Sequence, residues 1–231
     1  MKFKGTHISE ASGSLAGVTY SHNRGGQYMR ARAVPVNPNT LQQQAVRNYM
    51  ASRSAAWGSV LTQGQRDGWE AYADQVLLTD ALGEPRKATG LNHYVRCNVP
   101  RMQAGMAGSP LQVAPAIFDM GSYTNPVLGV VDQSDSTASI AYTNTDPWAI
   151  AIGGAMLVHA SAGQSPGTAY FKGPYRYAGK VLGAVTPPTS PYVCPLPFAV
   201  QVGQRVFVKL TFVQVDGRLS SPFRTGGLVT T

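Results

Sequence analysis

The side chains of this 231-residue chain that could do chemistry are four histidines, eleven acids, two cysteines and nineteen lysines and arginines. His7, His22, His93 and His159 do not stand at metal-ligand spacing. His7 and Glu10 are three apart, but their segment has no helical period that would put them on one face. Asp67, Glu70 and Asp74 fall at i, i+3 and i+7, which on a helix is a solvated stripe beside Trp69 rather than a carboxylate pair flanking a substrate. There is no nucleophile elbow, no phosphate loop and no H-E-x-x-H. Gly25-Gly26 and Gly153-Gly154 lack the surroundings of a phosphate loop and read as turn or packing glycines. The expectation is a protein without catalytic residues, metal or cofactor. Cys97 and Cys194 are far apart with no C-x-x-C spacing, so both are expected to be reduced, buried and hydrophobic in character. That fits synthesis in a reducing cytosol.

The basic side chains are unevenly placed. Residues 1–60 hold seven (Lys2, Lys4, Arg24, Arg30, Arg32, Arg47, Arg53) against the single acid Glu10. Residues 61–110 hold five of each sign, and residues 111–231 hold seven basic and five acidic. A basic first third points to an acidic partner surface. Tyr28, Arg30 and Arg32 are the candidate docking residues. Nucleic acid is the less favoured partner, because no helix-turn-helix, RRM or zinc-finger signature is present. Were all seven of those cations on phosphates, affinity would fall with salt at a log–log slope of roughly −6. The densest aromatic–basic run is Tyr170-Phe171-Lys172-Gly173-Pro174-Tyr175-Arg176-Tyr177. Tyr170, Tyr175 and Tyr177 are therefore candidate contacts for a glycan or receptor.

The elements that must position these residues change character along the chain. Residues 1–12 read as an extended arm, and the N-terminus lacks the apolar stretch of a secretory signal. Ser14 to Ser21 is β-prone, His22 to Gly26 supplies a turn, and Gln27 to Val36 is the expected return strand. Alternation along that strand separates Tyr28, Arg30, Arg32 and Val34 from Met29, Ala31 and Ala33. Thr40 and Gln43 form a capping box for a helix from Leu41, with Val46, Met50, Trp57 and Leu61 on its apolar stripe. Thr62 and Gln65 repeat the device for a second helix, whose inner face is Trp69, Tyr72, Ala73 and Val76. So short a connection predicts an antiparallel pair with Trp57 and Trp69 in a shared core. After a loop over Leu78–Lys87, Thr89 caps a third helix with Leu91, Tyr94, Val95, Asn98 and Met102 on one side and Pro100 as a kink or stop. Trp57, Trp69 and Tyr94 are the expected structural core. Gly105–Pro110 reads as a linker.

Beyond it the pattern is short strands and turns. Candidate strands are Leu111–Phe118, Pro126–Val131, Thr137–Tyr142, Ala149–Ser161, Ala169–Phe171, Arg176–Ala184, Phe198–Val202 and Arg205–Val215, with Asp216-Gly217 as a hairpin turn into Arg218–Pro222. The expected fold is α+β: an arm and β-hairpin (residues 1–40), a small helical adaptor (41–105) and an immunoglobulin-like β-sandwich (106–231). No run approaches the roughly 18 apolar residues of a membrane span.

Two resemblances bear on function. VFVKLTFVQVDGRLSSPF resembles the last hairpin of fibronectin type III domains, which implies an immunoglobulin-like module that binds or spaces rather than catalyses. Residues 13–105 carry Gly25-Gly26-Gln27, Arg30-Ala31-Arg32, Asn37-Pro38-Asn39-Thr40-Leu41-Gln42-Gln43, Trp57, Leu61 to Trp69 and Gly90 to Asn98. That order resembles a family of uncharacterised phage and prophage proteins. It implies a structural component of a bacteriophage particle, made in the host cytoplasm and resident in the virion, with other virion proteins and copies of itself as partners. Capsid decoration and a head, neck or tail accessory role both fit. The rival readings are a tail or fibre adhesion module and a basic DNA-binding protein.

Overall fold

The computed structural model describes residues 11–34, 36–79, 84–106 and 110–230. The arm expected over residues 1–12 lies almost wholly outside them. The chain divides into two compact units, Met1–Gln43 and Gln44–Thr231. The helical segment and the β segment thus belong to one unit, and the expected boundary near residue 105 does not separate compact bodies.

In the first unit, β1 (Gly13–Leu15), β2 (Val18–Asn23) and β3 (Gly26–Ala31) form an antiparallel sheet in that order. The β-prone run from Ser14 is two strands rather than one, because Ala16 (φ 50°) and Gly17 reverse the chain between Leu15 and its partner Val18. At the second turn the Asn23 side-chain oxygen accepts the Gly25 N–H at 2.9 Å, and Gly26 takes a φ of 100°. The return strand is shorter than expected. It ends at Ala31, and only the Arg32 N–H still reaches back, donating to the Gly17 carbonyl at 2.9 Å.

Both capping boxes form. The Thr40 N–H donates to Gln43 Oε1 at the start of α1 (Leu41–Ser59), and Thr62 and Gln65 exchange the same pair of bonds before α2 (Gln63–Gln75). The helix pairing differs from the expected one. No residue of α1 is buried, whereas α2 packs on α3 (Gly90–Gln103). The reason lies at the start of α3. Gly90 sits so close to α2 that a Cβ there would lie 2.7 Å from the Glu70 nitrogen, and Glu70 Oε2 accepts the Gly90 N–H at 2.8 Å. Between the two helices, β4 (Leu78–Thr79) and β5 (Pro85–Arg86) make a short ladder. Pro100 lies inside α3 without ending it.

The buried side of α3 is His93, Tyr94, Cys97, Asn98 and Arg101, so the expected side keeps only Tyr94 and Asn98. Asn98 and Arg101 turn inward because backbone groups await them. Asn98 exchanges hydrogen bonds with Leu111 (Leu111 N–H to Asn98 Oδ1, 2.8 Å; Asn98 Nδ2 to the Leu111 carbonyl, 3.2 Å). The chain after Leu111 is a strap over the helices, not the strand expected at Leu111–Phe118. Trp69 donates to the Gln112 carbonyl and Tyr72 to the Asp119 carbonyl.

The large sheet contains β6 (Val127–Asp132), β7 (Thr137–Ala141), β8 (Ala155–Ala160), β9 (Arg176–Leu182), β10 (Tyr192–Pro195), β11 (Arg205–Val213) and β12 (Phe223–Thr230). Its order is β10-β7-β6-β12-β11-β8-β9, with every pair antiparallel except β12–β6. The outermost strands approach each other: a Cβ on Gly179 of β9 would stand 3.4 Å from the Cys194 sulfur of β10. The fold is therefore α+β, with helices beside a mostly antiparallel sheet. Ile140, Trp148, Met156, Val158, Leu210 and Phe212 fill its interior.

Several strands differ from the sequence expectation. Ala169–Phe171 and Phe198–Val202 are not strands, while Tyr192–Pro195 is. The strand expected from Ala149 begins at Ala155, because Asp146 first caps a turn that seats Trp148 in the core. Asp216-Gly217 turns the chain as expected: the Gly217 N–H donates to the Gln214 carbonyl, the Gln214 N–H donates to the Arg218 carbonyl, and Val213 bridges Leu219 antiparallel. The strand after it is Phe223–Thr230 rather than Arg218–Pro222.

Candidate docking and ligand surfaces

In the first unit, strand register places Tyr28 beside Ser21 and Arg30 beside Thr19, with Ser14 next to Thr19 on β1. One face of the sheet is thus Ser14, Thr19, Ser21, Tyr28 and Arg30, and a hydroxyl pair at 2.7 Å links Ser14 to Thr19. The other face carries Leu15, Val18, Tyr20, Met29 and Ala31. Arg30 is exposed and Tyr28 half-buried. Arg32 is also exposed but lies past the end of β3, so the sheet itself carries Tyr28 and Arg30 together and not all three. Among the described residues of this unit, none is buried.

Trp57, Trp69 and Tyr94 come together as expected, though through α3. The Tyr94 ring centre stands 5.7 Å from Trp57 and 5.5 Å from Trp69. The three acids of α2 are occupied. Asp67 accepts from Gln63, Glu70 receives the first N–H of α3, and Asp74 pairs with Lys87 at 2.7 Å. Cys97 and Cys194 are free and buried; burial pushes their thiols up to about 12 and about 11. Among the described residues, no group of three His, Cys, Asp or Glu stands together as a metal site would require.

The tyrosine run divides. Tyr177 lies on β9 opposite His159 and packs against Ala104 and Leu157 at the junction of α3 and the sheet. Tyr170 is 66% exposed. Tyr175 is half-buried and donates its hydroxyl to the Phe171 carbonyl at 2.8 Å, and the Lys209 ammonium stands 5.6 Å from its ring centre. Lys209 is register-paired with Arg224 on β12 and with His159 on β8. Sequence reasoning passed over both cations. The alternation of β11 already turned Lys209 outward between the buried Val208 and Leu210, but Arg224 had no place until the glycine-containing stretch Phe223–Thr230 became a strand. Arg101 was missed as well. It is 6% exposed, and nothing in its sequence neighbourhood marks the loop carbonyls that hold it.

The chain matches no known family model, no curated protein and no solved structure. No helix among the described residues is long and apolar enough to cross a membrane.

Proposed function

We propose that this chain is a non-enzymatic structural component of a bacteriophage particle, which docks on an acidic neighbouring subunit through its basic first unit. The observation that carries the reading is the lack of any buried side chain among the described residues of that unit. A three-stranded sheet needs a packed hydrophobic face to be stable. Here Leu15, Val18 and Met29 share a face, and the opposite face presents Arg30 beside Tyr28. Docking supplies the missing burial, and the arginines select an acidic surface.

The sheet order supports an immunoglobulin-like reading of the second unit. It groups as β10-β7-β6 and β12-β11-β8-β9, joined through the parallel β12–β6 pair. In that reading the module is a spacer or decoration that projects from the particle. The test is the double variant Arg30→Glu/Arg32→Glu, expressed during particle assembly. The variant chain is expected to stay out of purified particles while remaining folded by circular dichroism. Incorporation at the wild-type level overturns the reading.

A further inference from the structure

The outer face of β11 and β12 carries a cationic pair that no acid balances among the described residues. Lys209 and Arg224 are directly opposite each other in the ladder, a placement that costs stability when charges are alike. Neither side chain takes part in an ion pair among the described residues. Lys209 is half-buried, flanked by the Tyr175 ring, and its pKa is lowered first by burial and then by Arg224. Arg205 extends the basic row along β11, its guanidinium 5.8 Å from the Phe207 ring centre. Burial raises the Tyr175 hydroxyl pKa, and the positive charge of Arg224 opposes that shift. The exposed Tyr170 is the chain neighbour of Phe171, which stacks on Phe207 and accepts the Tyr175 hydroxyl, and this brings it to the same face.

A like-charge pair held among aromatic rings is what an anion with an apolar flank would stabilise. We infer that Lys209, Arg224 and Arg205, together with Tyr170 and Tyr175, form a binding site for an acidic polysaccharide. The acidic groups pair with Lys209 and Arg224, and a sugar ring lies on Tyr170. Two features favour a carbohydrate over other polyanions. The cations are few, whereas duplex nucleic acid is held by about six or more phosphate contacts. The rings of Phe171 and Phe207 stack on each other at 5.8 Å, and the exposed Tyr170 ring next to them offers a flat face of the kind a sugar ring covers. The site is on the second unit and does not depend on docking by the first.

The experiment is binding of the full chain to immobilised polygalacturonate (carboxylate) and dextran sulfate (sulfate), with neutral dextran as control, at low and physiological salt. Binding to at least one acidic polymer and not to dextran is expected. Lys209→Gln/Arg224→Gln should weaken it at least tenfold, and Tyr170→Ala severalfold. Arg30→Glu/Arg32→Glu, a larger change of charge elsewhere, should leave it within twofold. The Lys209→Gln chain should also unfold at an equal or higher urea concentration than wild type, because a repulsion is removed. The site is refuted by no binding to either acidic polymer at low salt. It is equally refuted by an equal loss from the Arg30/Arg32 variant, or by tighter binding to duplex DNA or polyglutamate than to either polysaccharide.

Discussion

The Arg101 guanidinium donates to the carbonyl oxygen of Gly153 at 2.9 Å and joins the last turn of α3 to the loop before β8. The same nitrogen donates to the Val215 carbonyl at 3.1 Å, beyond the end of β11. Lys180 adds a parallel tie from β9 to the Ala104 carbonyl at 2.8 Å. Beneath these bonds Ala104, Ala155, Leu157 and Val213 form a small apolar layer. A helix and two sheet loops are thus held by a buried cation on neutral acceptors, which explains why the helical and β segments form one unit. Arg101→Ala should cost about 1–3 kcal/mol, since two part-buried carbonyls lose their charged donor. Arg101→Lys should recover much of that, because both bonds leave a single nitrogen and an ammonium carries enough donors for the two. Urea unfolding of the three proteins checks this, and equal midpoints would show that the latch is dispensable.

Acid should loosen the second unit before it affects a carboxylate network. His159 is lowered to about 4, first by burial and then by Lys209; His93 is lowered by burial and then by Arg96. In both, the unfolded chain binds a proton more readily than the folded one near pH 6. Their contribution is fully present above pH about 6.5 and is lost as pH falls below it, for His159 over the window down to about 4. Urea midpoints should therefore fall between pH 7.5 and 4.5, and His159→Gln should flatten that slope. A slope unchanged by the substitution would place the acid sensitivity elsewhere.

Close backbone approach sets the α2–α3 packing. A methyl at Gly90 would stand 2.8 Å from the Trp69 carbonyl carbon and 2.7 Å from the Glu70 nitrogen. Gly90→Ala should cost about 1–3 kcal/mol by overpacking, despite the better helix propensity of alanine. Gly68→Ala meets nothing within 4 Å, so it should be neutral or stabilising. Thermal melts of the two variants side by side separate packing from propensity.

What the sequence made legible followed from local chemistry. The capping boxes at Thr40–Gln43 and Thr62–Gln65 are i, i+3 patterns whose partners lie within one turn. The inner face of α2 was legible because Trp69, Tyr72, Ala73 and Val76 are all apolar. What stayed hidden depended on distant partners. Arg101 looks solvent-facing until Gly153 and Val215 arrive to receive it, and Asn98, on the expected inner side, has no visible partner until Leu111 does. Phe223–Thr230 looks like a tail until Gly226 is seen lying beneath the Phe207 ring, where a Cβ would come within 2.6 Å of a ring carbon. The Lys209–Arg224 pair needed both strands and their register, and an isolated segment holds neither.

The same contrast predicts how the native chain is cut. Arg24, Arg30 and Arg32 lie in a unit with no buried residue among those described, and Arg47 is exposed on α1. Arg101 is buried, and Arg218 is held by Asp216 and Asp119 on a largely covered side chain. Proteases cleave where the backbone opens at little cost. Brief trypsin treatment should therefore remove the first unit while the fragment from Asn48 onward survives. That fragment should keep both its helical and its sheet dichroism and melt in one cooperative step, because the helices and the sheet share the Arg101 latch and the layer beneath it. Two separate melting steps would mean that the helical segment folds independently of the sheet. Early cleavage at Arg101 would mean that the latch opens in the native state.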